Sequence, residues 1–169
     1  GRAPTCKAEC RNGYQLLAQT CIRVQLNGKS YNEAQKACES EGAVLAMPKT
    51  IELDVALRNQ IIKSGKDSFY WIGLTKSKKG WKWADGSHLN DNAYKAWNPG
   101  EPESSWWVYH NCVQYWSKTP GTPMWDDTAC SYKHRFICQT SHAKIPRKDL
   151  NSFLDVLPPF SFLRRLNNK

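Results

Sequence analysis

The sequence predicts an α+β domain, with two helices near its start followed by short strands that are divided by a long loop region. Three observations carry this. Ser30-Tyr31-Asn32-Glu33 has the Ser-x-x-Glu spacing of a capping box, and Ala34, Ala37 and Cys38 follow on one helical face before Gly42 supplies a stop. Phe69-Tyr70-Trp71-Ile72-Gly73-Leu74 has the aromatic and β-branched content of a strand. From Thr75 to Cys130 the chain is rich in Gly, Pro, Asn, Asp and Trp and shows no helical period. Loops of that length inside a compact domain are usually functional.

The second helix begins after Pro48, where Thr50 caps a stretch in which Leu53, Ala56, Leu57 and Ile61 share a face. It runs to about Lys63 and ends at Gly65. A chain of 169 residues suits one compact domain with an extension. The divisions expected are a segment over 1–9, a domain over 10–139 and a basic amphipathic extension over 140–169.

Seven cysteines together with eight Trp and seven Tyr point to an oxidising compartment, because cytosolic thiols stay reduced. The expectation is a secreted, disulfide-stabilised protein whose leader has been removed before Gly1, with a membrane-tethered parent left open. No apolar stretch is long enough to span a bilayer. The formal net charge of +9 divides into 18 Lys/Arg against 13 Asp/Glu up to residue 140, and 6 against 2 beyond it. That balance favours anionic glycans or membrane surfaces, and the compartment argues against nucleic acid.

Two acidic pairs flank one cysteine pair: Trp97-Asn98-Pro99-Gly100-Glu101-Pro102-Glu103 precedes Cys112, and Trp125-Asp126-Asp127 precedes Cys130. Calcium takes six to eight oxygen ligands, so Glu101, Glu103, Asp126 and Asp127 are the right residue types to ligate it. A cis bond before Pro102 would turn Glu101 and Glu103 toward one side.

The capped helix with Cys38, Trp71-Ile72-Gly73-Leu74, Gly80-Trp81-Lys82-Trp83, the Trp97 to Pro102 run, Cys112, Trp125-Asp126-Asp127, Cys130 and Phe136-Ile137-Cys138 together resemble a C-type lectin-like domain in its long form. The resemblance covers roughly Cys10 to Gln139. It implies the disulfides Cys38–Cys138 and Cys112–Cys130, with Cys10–Cys21 closing an amino-terminal hairpin, and a cis-proline at Pro102. From the residues alone a pair drawn from Cys6 and Cys21 stays open. An odd Cys6 points to an intermolecular bridge, and so a disulfide-linked dimer, or to a small-thiol cap.

The family's sugar site reads Glu-Pro-Asn or Gln-Pro-Asp, then Glu two residues before the cysteine, then Asn-Asp after Trp, and it binds one calcium and two sugar hydroxyls. This chain keeps Glu101 and Asp127 but has Glu103, His110 and Asp126 at the other three positions. Attraction for a cation is retained. One oxygen ligand is replaced by His110, and protonation of that imidazole would weaken calcium binding in acid. Both amide donors are gone, and a carboxylate only accepts hydrogen bonds. The polar shell is therefore expected to discriminate weakly between mannose-type and galactose-type diols, leaving the choice to aromatic rings, with Trp106 or Trp107 touching the sugar and Tyr109 nearby. Trp71, Trp83 and Trp125 are assigned to the core.

Lys76, Lys78, Lys79 and Lys82 read as a solvated turn, and Leu150, Phe153, Leu154 and Leu157 as one helical face of the extension. No zinc-protease, nucleophile-elbow or phosphate-loop motif is present, so no enzyme is expected. The function expected is a calcium-dependent lectin of innate recognition, binding glycoconjugates or microbial surfaces. The alternative is a calcium-independent module of the same fold that binds a protein, mineral or polyanion.

Overall fold

A computed structural model describes residues 9–65, 68–103, 109–119 and 122–140. A short strand β1 (Gln15–Leu17) and a longer strand β2 (Thr20–Lys29) lead into helix α1 (Tyr31–Ser40). The dipeptide strand β3 (Val44–Leu45), helix α2 (Ile51–Gly65), and strands β4 (Tyr70–Ser77) and β5 (Gly80–Trp83) follow. After the loop region come β6 (Cys112–Thr119), β7 (Thr122–Thr128) and β8 (His134–Thr140).

Both helices start where the capping residues place them. The Ser30 hydroxyl accepts from the Glu33 amide while the Glu33 carboxylate accepts from the Ser30 amide, closing the box reciprocally. Thr50 Oγ1 accepts from the Leu53 amide at the head of α2. Gly42, at φ +66°, takes the left-handed turn after α1.

The strands form one sheet in the order β1-β2-β8-β4-β6-β7, with β3 on β8 and β5 on β4. It is mixed, because β4 runs parallel to β8 while the other pairs are antiparallel. Side chains alternate across it, so neighbouring residues enter different cores. Ile22, Ile72, Val113, Trp125 and Ile137 pack with Leu53, Leu57 and Ile61 of α2. Trp71, Cys112, Phe136 and Cys138 pack with Tyr31, Ala34 and Cys38 of α1.

Where the sequence suggested only turns and short strands after Thr75, β6 and β7 run to 8 and 7 residues. Residues 112–115 and 125–128 are buried without alternation, since both faces of this part of the sheet are covered. A strand of that kind leaves no period-2 signature to read.

Three disulfides fasten the domain: Cys10–Cys21, Cys38–Cys138 and Cys112–Cys130. Cys21 is thereby paired with Cys10, closing the alternative left open in the sequence, and Cys6 lies outside the described residues. Residues 141–169, with the Leu150 to Leu157 stripe, lie outside them too. No helix among the described residues is long and apolar enough to cross a membrane.

Candidate functional site

Asn98 and Trp125 build the frame on which the acidic residues stand. The Trp125 amide donates to the Ala96 carbonyl (2.8 Å) and the Asn98 amide to the Trp125 carbonyl (2.8 Å), so the chain around Trp97 runs alongside β7. The buried Asn98 side chain donates to the carbonyls of Trp116 (3.1 Å) and Met124 (3.3 Å). Asn98-Pro99-Gly100-Glu101 is then a turn closed by the Glu101 amide on the Asn98 carbonyl (2.9 Å), with Gly100 at φ +88°. Pro followed by a positive-φ Gly is the type II pattern.

The peptide bond between Glu101 and Pro102 is cis. Just beyond it, the Glu103 amide donates to Asp127 Oδ1 at 2.8 Å, which ties the first acidic arm to the second. Asp127 is only 2% exposed, and its Oδ2 has no hydrogen-bond partner among the described residues. Burial pushes its carboxyl above the ordinary carboxylate range, and the charge of Glu101 pushes the same way against the Glu103 amide. Glu101, Glu103 and Asp127 are thus brought together.

His110 enters the same space. Its Nδ1 lies 3.6 Å from Glu103 Oε2 and 4.0 Å from Asp127 Oδ2, and is itself buried without a hydrogen-bond partner among the described residues. Asp126 is placed differently. It pairs in register with Gln114, whose Nε2 donates to Asp126 Oδ2 at 2.8 Å, while Asp127 pairs with Val113. Strand alternation turns the two aspartates to opposite sides of the β6–β7 ladder.

Tyr109 is 83% exposed beside His110, whereas Trp106 and Trp107 lie outside the described residues. Trp71, Trp83 and Trp125 are core residues, as the sequence suggested. Lys76, Lys78, Lys79 and Lys82 are exposed around the β4–β5 turn.

Oxygen donors of this kind suit a hard cation, and the unshared, buried Asp127 Oδ2 is the atom that most needs one. Glu101, Glu103 and Asp127 fit that group chemically. Among the described residues, however, no three His, Cys, Asp or Glu side chains stand close enough to enclose a metal ion.

Two buried polar residues, Asn98 and Asp54, are absent from the sequence-derived site. Nothing in the Asn98-Pro99-Gly100 run indicates that the Asn98 amide reaches across to two strands. Asp54 had a signal, because it stands three and seven residues before Leu57 and Ile61 on the buried stripe of α2.

The Lectin C-type domain profile matches residues 27–140. The chain belongs to the C-type lectin domain family. Among curated proteins this C-type lectin is similar to the C-type lectin lectoxin-Lio3 of Erythrolamprus poecilogyrus, at 32% identity over 137 residues, covering 78% of this chain and 81% of the relative. Among solved structures it resembles a complex of SPL-1 with GlcNAc at a TM-score of 0.70 and 24% identity, covering 80% of this chain and 98% of that one. It also resembles the Ca2+-independent C-type lectin SPL-2 from Saxidomus purpuratus at a TM-score of 0.69 and 21% identity, covering 80% and 96%. Both likenesses bear on the fold. The C-type lectin domain is a binding module and not an enzyme.

Proposed function

We propose that this C-type lectin works outside the cell as a calcium-dependent carbohydrate receptor, taking paired hydroxyls of glycoconjugates or microbial surfaces at Glu101, Glu103 and Asp127. The observation that supports the reading is the buried Asp127 carboxylate, whose Oδ1 is held by the Glu103 amide, whose carboxyl feels the charge of Glu101, and whose Oδ2 has no hydrogen-bond partner among the described residues. Bound calcium would supply a Lewis-acidic centre for two sugar hydroxyls.

The chain's own residues do the orienting. Glu101 and Glu103 accept hydroxyl protons at the rim, and the Glu103 amide holds Asp127 in place. His110, at the position of the family's second Glu, puts a ring nitrogen beside Glu103 in place of an oxygen ligand. Asp126 acts by tying β7 to Gln114 of β6. Trp106 or Trp107, with Tyr109, cover the apolar face of the sugar, and the choice between galactose-type and mannose-type ligands falls to them. The three disulfides suit an extracellular setting.

Calorimetric titration is the test. One calcium per chain is expected, with a dissociation constant on the order of 10⁻⁴–10⁻³ M, as for extracellular modules. Asp127→Asn should weaken that binding at least about tenfold, and a chelator should release the protein from a sugar resin. Absence of calcium uptake by the native chain would overturn this reading.

A second reading, metal-independent binding of a protein, mineral or polyanion, is favoured by one observation: His110 already stands between Glu103 and Asp127. Binding that survives chelator and fails in high salt would select it.

A further inference from the structure

Asp54 is fully buried on α2, and four donors converge on it. Its Oδ1 accepts from the Tyr115 hydroxyl (2.6 Å) and the Trp125 indole N–H (3.0 Å). Oδ2 accepts from the Tyr94 hydroxyl (2.8 Å) and pairs with Arg58 one turn on. These donors come from α2, the loop before Trp97, β6 and β7.

A buried ion pair is weak evidence for stability, because well-packed apolar residues of similar volume commonly serve a core as well. What a carboxylate adds is direction: it fixes the rotation of the Trp125 ring about its own bonds. Trp125 packs edge-on against Trp83, Tyr94 and Trp97 at centroid distances of 5.6, 6.0 and 5.6 Å. Its backbone holds the amide of Asn98, whose carbonyl holds the amide of Glu101. Asp127 lies two residues further along β7. One side chain on α2 therefore fixes the residue from which both acidic arms depart.

We propose that Asp54 is a positioning residue for the ligand site, clamping Trp125 so that the turn bearing Glu101 and the strand bearing Asp127 are held in mutual register. The assignment of those arms to ligand binding rests on the function proposed above. The clamp itself does not.

Hydrogen exchange on the full chain tests it without any ligand. In Asp54→Asn, which keeps the shape but loses the charge facing Arg58, the amides of Trp125, Asn98 and Glu101 should exchange about tenfold faster, while those of Ala46 and Gly73, bonded in the sheet's interior, stay within about twofold. Tyr115→Phe and Tyr94→Phe, each removing one hydroxyl, should give the same pattern more weakly, and they decide the matter if Asp54→Asn does not fold. Calcium affinity measured on the same proteins should fall in step with the exchange at Glu101. Equal acceleration at both sets of amides means that Asp54 serves only the fold and overturns the proposal, as does unchanged exchange at Asn98 and Glu101. If the native chain takes up no calcium, the functional reading fails while the exchange pattern still judges the clamp.

Discussion

Single side chains whose polar atoms are committed to backbone set the course of the turn that carries Glu101. Removing the Asn98 amide would leave the Trp116 and Met124 carbonyls without their donor in a buried place. Asn98→Ala is expected to lower stability by roughly 1–3 kcal/mol in urea unfolding and to weaken ligand binding with it. His134 offers a pH-dependent test away from the site. It packs at tilted angles against the rings of Trp71 (4.5 Å), Phe69 (5.0 Å) and Tyr132 (5.8 Å), and burial holds its pKa below the usual histidine value, against a backbone contact at Lys133. The folded-state pKa is depressed, so the unfolded chain takes up the proton first. The stability from the neutral ring is whole above the unfolded pKa of about 6.5 and is lost as pH falls below it. The urea midpoint of the native chain should therefore drop more between pH 7.5 and 5 than that of His134→Phe; equal slopes would refute this. At this scale the acidic residues were legible because their types and order carry chemistry. The Asp126 pairing was not, because nothing in Trp125-Asp126-Asp127 says which carboxylate faces Gln114.

Helices and strands differed in how openly the sequence declared them. Both helices could be located from caps and apolar spacing, since those signals are local. Strands β6 and β7 could not, because burial on both faces erases alternation and the pairing that makes them strands is with each other. Gly73 in β4 illustrates a constraint of packing rather than of φ. A Cβ there would lie 2.6 Å from the Leu45 carbonyl oxygen and 2.9 Å from the Ala84 Cβ. The Gly73 amide also donates to the Ala46 carbonyl (2.7 Å) and its carbonyl accepts from the Ala84 amide (2.8 Å), so neither neighbour can move away freely. Gly73→Ala is expected to cost about 1–3 kcal/mol or more, as overpacking does, and thermal unfolding would show it.

Across the whole molecule, the covalent links divide labour between fold and site. Cys38–Cys138 spans 100 residues and joins α1 to β8, whereas Cys112–Cys130 spans 18 beside Asp127. Chain-entropy arguments give about 4–5 kcal/mol for a loop as long as the first and about 3 kcal/mol for one as short as the second. Replacing both cysteines by alanine should therefore lower the unfolding midpoint more at Cys38 and Cys138, while the change at Cys112 and Cys130 should cost more ligand affinity for its loss of stability. The fold class was readable in advance because a family signature is spread over the chain. The contacts by which Asp54 of α2 holds Tyr94, Tyr115 and Trp125 were not, since they join residues 40, 61 and 71 apart in sequence.

Cys21 bonds covalently to Cys10 and pairs in register with Thr140. The two ends of the described domain consequently meet on the β1-β2-β8 side of the sheet, and none of Glu101, Glu103 or Asp127 belongs to those strands. A unit wired in this way resembles a plug-in cartridge: flanking polypeptide joins it on that side without rerouting a strand past Glu101, Glu103 and Asp127.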